Sequence, residues 1–194
     1  MNSKTRRSKA VARCIDRIKS IMINGVDVET LRHAKRALMT LAEDAALFTH
    51  ADFPLPADGE VERTYLIHEE TDGTFALYVN SGIKGQSSPP HDHGGSWAII
   101  VAVEGEEIHR LYTCDETSNT LTFANQIVVK PGCGVSLLPD GIHAIEAVAP
   151  EPLLHLHLYG RRFADQGTRR QFDLEKGQVR QFVLDDVGFI EDAR

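Results

Sequence analysis

The sequence predicts an all-β barrel or sandwich preceded by a helical region, and three observations lead there. Before Pro54, apolar residues recur at steps of three and four, the helical period. After Val61 they fall in short β-favouring runs. Turn dipeptides such as Asp72-Gly73, Ser81-Gly82, Glu104-Gly105, Ser118-Asn119, Pro131-Gly132 and Asp140-Gly141 separate those runs.

The elements follow in order. Val11, Ile15, Ile18 and Met22 step by 4, 3 and 4, which predicts a first helix. Its start is basic, with Lys4, Arg6, Arg7, Lys9, Arg13, Arg17 and Lys19 against Asp16 alone. That start reads as a basic surface helix or as an organelle transit peptide. Asn24-Gly25 breaks the helix. Leu31, Ala34, Leu38, Leu41, Ala45 and Phe48 form the apolar stripe of a second helix, facing the protein's own core or a dimer seam. Phe53 to Gly59 is a stiff, turn-rich linker. Strands are expected at 64–67, 74–79, 97–103, 108–112, 120–123, 127–129, 135–138, 144–148 and 153–159. The expected organisation is a helical region over 1–52 packed on the barrel, a barrel over 60–185 and a C-terminal tail over 186–194.

A chain of 194 residues is one domain. It buries ~70% of its unfolded surface and needs no staple to fold. The net charge of −7 argues against nucleic acid or an acidic membrane as a partner. No apolar run approaches the ~20 residues that span a bilayer, and no secretory signal is evident. Cys14, Cys114 and Cys133 are odd in number and widely spaced. They read as free thiols in a reducing compartment, which places the protein in the cytoplasm.

The histidines carry the chemistry. His91-Asp92-His93 follows Pro89-Pro90, and two prolines do not suit a central strand, so the pair is expected at a strand entrance. In extended chain, His91 and His93 share a face and can meet one metal. His143 follows the turn at Asp140-Gly141; alone, it reads as a core histidine bonded to backbone. His155-Leu156-His157-Leu158-Tyr159 alternates strictly, with the leucines on one face and His155, His157 and Tyr159 on the other. The polar trio faces solvent or lines a cavity.

Together these residues form a pattern. Gly85, five residues, His91-Asp92-His93, four residues, Ala98, six residues and Gly105 resemble the first cupin motif, with alanine where glutamate is usual. Pro139-Asp140-Gly141-Ile142-His143 resembles the second, one residue short before its histidine. With Gly73-Thr74-Phe75 and Leu156-His157-Leu158-Tyr159, the set over about 61–165 resembles the cysteine dioxygenase-like thiol dioxygenases of the cupin superfamily. The resemblance implies a double-stranded β-helix, a small antiparallel barrel, here with an N-terminal α-helical extension.

It also implies a non-haem Fe(II) site of His91, His93 and His143 with no carboxylate ligand, using O2 as co-substrate. In that family a Ser-x-His-x-Tyr trio stands beside the iron; His155, His157 and Tyr159 occupy those positions, with histidine replacing the serine. Three neutral imidazoles leave the ion its full charge, which favours a bound thiolate over a thiol. His157 would orient the Tyr159 hydroxyl. A substrate carboxylate calls for an arginine fork. Arg63 is the candidate on the first strand, where ungapped counting gives Tyr65; Arg169 and Arg170 are the candidates after the tyrosine, beside Thr168 at the family position. Ala98 stands where the mammalian enzymes carry the cysteine of a Cys–Tyr cross-link, so no such cofactor is expected. Cys114 and Cys133 are expected to be plain buried thiols.

The expected function is therefore oxidation of a small thiol, of the cysteine or 3-mercaptopropionate type, to its sulfinate, by a monomer or homodimer. Two other readings stay open: a different metal-dependent cupin enzyme, such as a Zn(II) hydrolase or lyase, and a non-catalytic metal-binding cupin.

Overall fold

The computed structural model describes residues 3–115, 117–183 and 190–194. Helix α1 spans Ser3–Ile21 and helix α2 spans Val28–Ala42. Between them the chain turns through Gly25, whose φ of +119° suits only glycine without strain. Asp27 caps α2: its carboxylate accepts the Thr30 N–H while the Thr30 hydroxyl accepts the Asp27 N–H. The helix stops at Ala42, a turn earlier than the stripe suggested. Leu31, Ala34, Leu38 and Leu41 are buried on it, whereas Ala45 is exposed at the start of a 3-10 turn, Ala45–Leu47. No helix among the described residues is long and apolar enough to cross a membrane.

Among the described residues twelve strands follow: β1 Glu62–Glu69, β2 Ala76–Gly82, β3 Ser87–His91, β4 Ala98–Glu104, β5 Glu107–Asp115, β6 Thr120–Val129, β7 Gly134–Leu137, β8 Ile142–Ala147, β9 Leu153–Tyr159, β10 Arg169–Asp173, β11 Gln178–Phe182 and β12 Ile190–Asp192. They form two six-stranded sheets, ordered β12-β1-β2-β9-β4-β7 and β11-β10-β3-β8-β5-β6. From β2 to β10 the chain passes repeatedly from one sheet to the other. That alternation winds two facing sheets into a double-stranded β-helix, the fold class the sequence predicts. Among the described residues every pairing is antiparallel except β1 with β12; Ile190–Asp192 stands at the edge of its sheet where a tail was expected, and residues 186–189 of that tail lie outside the described residues.

Three further departures have physical causes. β6 is one continuous strand where two were expected, because a bulge opposite Leu111 and Tyr112 absorbs the break in pattern. β10 and β11 were not expected, since Arg169–Asp173 and Gln178–Phe182 are too polar to read as strands from pattern alone. β3 holds both prolines, although it lies between β10 and β8. The ladder shifts register between Ser88 and His91, so Pro89 and Pro90 sit where no N–H is needed.

Period two then divides the first sheet. Leu77, Val79, Ile99, Val101, Leu154, Leu156 and Leu158 face outward and bury against Val11, Ile15, Ile18, Leu31 and Leu38 of the helices. Ala76, Tyr78, Ala98, Ile100, Ala102 and Tyr159 face the space between the sheets. The leucines of β9 thus find their hydrophobic layer under the helices, and this forces His155, His157 and Tyr159 into the barrel.

Candidate metal centre

His91 ends β3, His93 follows on the same face, and His143 comes from β8, directly opposite His91 in register. Each of the three offers one ligand atom within 4.8 Å of the others. Ring centroids of His143 lie 4.7 Å from His91 and 5.0 Å from His93. His91 donates Nδ1–H to the Pro89 carbonyl at 2.9 Å, which leaves the Nε2 lone pair free. His143 Nε2 and His93 Nδ1 are buried with no partner. Buried ring nitrogens without partners on three converging rings are what a metal ion would satisfy. Burial depresses all three basicities, that of His91 to about 4, so the rings are neutral and ready to bind.

Asp92 points the other way. Its carboxylate accepts from the Arg170 Nε at 2.7 Å, from the Arg170 N–H at 3.0 Å and from the Gly94 N–H at 3.1 Å. The turn after His93 runs through Gly94 at φ +57°, and a Cβ there would collide with the Gly167 carbonyl. That close approach brings the segment carrying Arg169 over the histidines.

A cavity of about 190 Å3 opens beside His91, and His157, Tyr159, Phe163, Arg169 and Gln171 are among its walls. Arg169 is only 5% exposed. Its Nε donates to Gln166 Oε1 at 3.0 Å, and the guanidinium lies over the rings of Tyr159 and Phe163 at 5.8 and 5.5 Å from their centroids. Among the described residues it makes no ion pair. Burial lowers its basicity, and an anion entering the cavity would restore it. Tyr159 packs 5.6 Å from the His93 ring, and its hydroxyl lies 3.3 Å from His157 Nδ1. Burial raises the Tyr159 phenol to about 12, against the pull of Arg169, so it remains a hydrogen-bond donor. Burial also lowers His157 to about 3. Ala98 sits beside Tyr159 in register.

Two of the three candidate arginines are elsewhere. Arg170 is bound to Asp92 on the opposite face of β10. Arg63 pairs with Glu191 and lies over the ring of Tyr65, on the outer face of β1; Glu62 and Thr64 line the cavity instead. Counting parity from the tyrosine put Arg63 inside, but Tyr65 belongs to the helix-covered layer. Cys114 and Cys133, expected to be buried, are only half-buried.

The sequence reading missed Glu107 and His109. Both lie on β5, both face inward, and both are essentially unexposed, at 1% and 0%. Glu107 Oε2 is 3.2 Å from His109 Nε2 and 2.9 Å from His155 Nδ1, while His109 Nδ1 is 3.0 Å from His143 Nδ1. Burial opposes ionisation of Glu107, but His155 and His109 outweigh it and hold the carboxyl well below its usual range. Glu107, His155 and His157 form a second cluster with metal-ligating atoms within 4.8 Å of one another. Its carboxylate and the His155 Nδ1 are already bonded to each other, while His155 Nε2 and His157 Nε2 are buried with no partner. The signal that could have found it was Glu107-Ile108-His109, the same alternation as His155-Leu156-His157.

No family model matches the sequence, and no curated protein does. Solved structures share part of the chain's architecture. A Thermus thermophilus protein, TT1209, superposes with a TM-score of 0.45 and 16% identity over 59% of this chain and 96% of its own. A Klebsiella pneumoniae protein described by its double-stranded β-helix domain gives 0.45 and 18% over 62% and 91%. Oxalate oxidase in complex with glycolate gives 0.46 and 15% over 59% of each chain. Likeness at this level carries nothing to the site, which stands on its own geometry.

Proposed function

We propose that the protein is an iron-dependent dioxygenase of a small thiol that bears a carboxylate, converting RSH and O2 to RSO2H. The observation that carries this reading is Arg169. A buried arginine with no ion-pair partner among the described residues shares one small cavity with His91 and Tyr159. The cavity is below the ~300–1,000 Å3 of drug-sized sites, which suits a substrate of a few heavy atoms.

The residues present fit a metal ion: His91, His93 and His143 would hold it, and three neutral ligands leave a site attractive to thiolate. Fe(II) held there would supply the redox chemistry that joins dioxygen to a thiolate sulfur. The chain does the rest. Arg169, whose Nε–Nη2 edge is held by Gln166, donates to the substrate carboxylate from its Nη1 side and so fixes which way the sulfur points. Tyr159 donates its O–H toward the reacting atoms, and His157 holds that hydroxyl in place. Phe163 and Ile145 give the cavity apolar walls that limit water, and Tyr78 stacks on Phe163. Both oxygen atoms end on sulfur, which is oxidised by four electrons as O2 is reduced. The thiol proton is balanced by the sulfinic acid.

The test is a substrate panel with iron-loaded protein: 3-mercaptopropionate, cysteine, and cysteamine, which has no carboxylate. The expected result is oxygen uptake matched one-to-one by sulfinate with a carboxylate thiol, and little with cysteamine. Turnover of a substrate at the same rate without oxygen would replace this reading with hydrolase or lyase chemistry.

A further inference from the structure

We infer that Glu107 tunes the metal through a relay of two histidines, as a positioning residue that touches neither metal nor substrate. The inference rests on the three-histidine reading of the site. The carboxylate of Glu107 can only accept, so His109 must donate from Nε2 across their 3.2 Å contact. A neutral His109 then has a lone pair on Nδ1. The 3.0 Å contact between His109 Nδ1 and His143 Nδ1 requires His143 to carry its proton on Nδ1. That leaves a lone pair on His143 Nε2, the atom that is buried and has no partner. One assignment of protons thus satisfies every bond from Glu107 to the candidate ligand atom. The alternative, with His109 donating to His143, would bury an Nε2–H on His143 with nothing to accept it and would block metal binding.

The consequence is electronic as well as orienting. A ligand histidine whose N–H is held by an anionic partner is a stronger donor to its metal. Here the anion lies one imidazole further away, and His109 transmits its pull through one charge-assisted bond to Glu107 and one imidazole–imidazole bond to His143. On the three-histidine reading no carboxylate touches the metal, and Glu107 brings negative charge to it from behind His143. His155 completes the arrangement. It donates Nδ1–H to the same Glu107 oxygen at 2.9 Å and pins the carboxylate in place. Histidine in place of the serine of the resembled family has a use here: it reaches the carboxylate that begins the relay.

Glu107→Gln and His109→Leu test this, singly and together, each checked for folding by thermal unfolding. The readouts are Co(II) affinity of the metal-free protein and the ferric/ferrous potential of the iron-loaded protein. Each single variant is expected to bind Co(II) 10–100-fold more weakly and to have a higher potential, by about 59 mV for each tenfold loss of preference for ferric over ferrous ion. The double variant is expected to be no worse than the singles, because both cut one chain. Wild-type affinity and potential in Glu107→Gln would overturn the relay, and so would additive effects in the double variant. His93→Ala separates the two ideas. If it loses Co(II) while both relay variants bind as wild type, the relay fails and the site stands; if it binds Co(II) as wild type, the site itself fails.

Discussion

Replacing Arg169 by Met is the perturbation that separates binding of a carboxylate from the rest of the chemistry. Met keeps an unbranched stem and some of the packing on Tyr159 and Phe163, and it removes the charge and all the guanidinium donors. The magnitude follows from the surroundings. The guanidinium is 5% exposed and has no ion-pair partner among the described residues. A substrate carboxylate would therefore form a desolvated, charge-assisted pair with it. Losing one side of such a pair commonly costs ~2–5 kcal/mol, which is about 30-fold to more than 10³-fold in kcat/KM. The assay is oxygen uptake by iron-loaded wild type and variant with 3-mercaptopropionate or cysteine, and separately with cysteamine at high concentration. The expected loss falls on the carboxylate thiols and leaves the residual cysteamine rate nearly unchanged. An equal loss on all three would show that Arg169 shapes the cavity only through Tyr159, and the carboxylate argument would fail.

Three further outcomes are expected. Tyr159→Phe keeps the ring against His93 and removes the hydroxyl; turnover should fall ~10²-fold with iron content unchanged, as elemental analysis beside steady-state rates would show. Leu156→Ala opens a hole under the helices and should cost ~2–5 kcal/mol of stability by denaturant unfolding, without changing metal content. The metal-free protein should lose stability as pH falls from about 6.5 toward 4, because His91 and His157 stay neutral in the fold, at about 4 and about 3, while they protonate in the unfolded chain. Each such histidine steepens the slope by about 1.4 kcal/mol per pH unit, and a flat profile measured by urea midpoints would contradict their burial as neutral rings.

Alternation made much of this legible in the sequence. The leucines of 153–159 had to face a hydrophobic layer, and that alone turns His155, His157 and Tyr159 inward. The helical stripe from Leu31 supplies the layer. His91 and His93 were legible for the same reason of parity. Absolute facing was harder where a strand has no apolar face to fix it. Arg63 and Tyr65 share a face, but only the packing of Tyr65 on Phe53 says that this face is the outer one. Glu107 and His109 escaped because a glutamate beside a turn reads as surface, and its burial depends on partners from β8 and β9 that are distant in sequence. The choice between Arg169 and Arg170 turns on one bond: Arg170 is held by Asp92, and strand alternation then sends Arg169 the other way.

The most direct measurement is the metal content of wild-type protein and of His143→Ala, each loaded with Fe(II) without oxygen and desalted. The account predicts about one iron per chain in the wild type and almost none in the variant, with the variant still folded. Iron retained in full by His143→Ala would contradict the three-histidine centre from which the rest of the account is built.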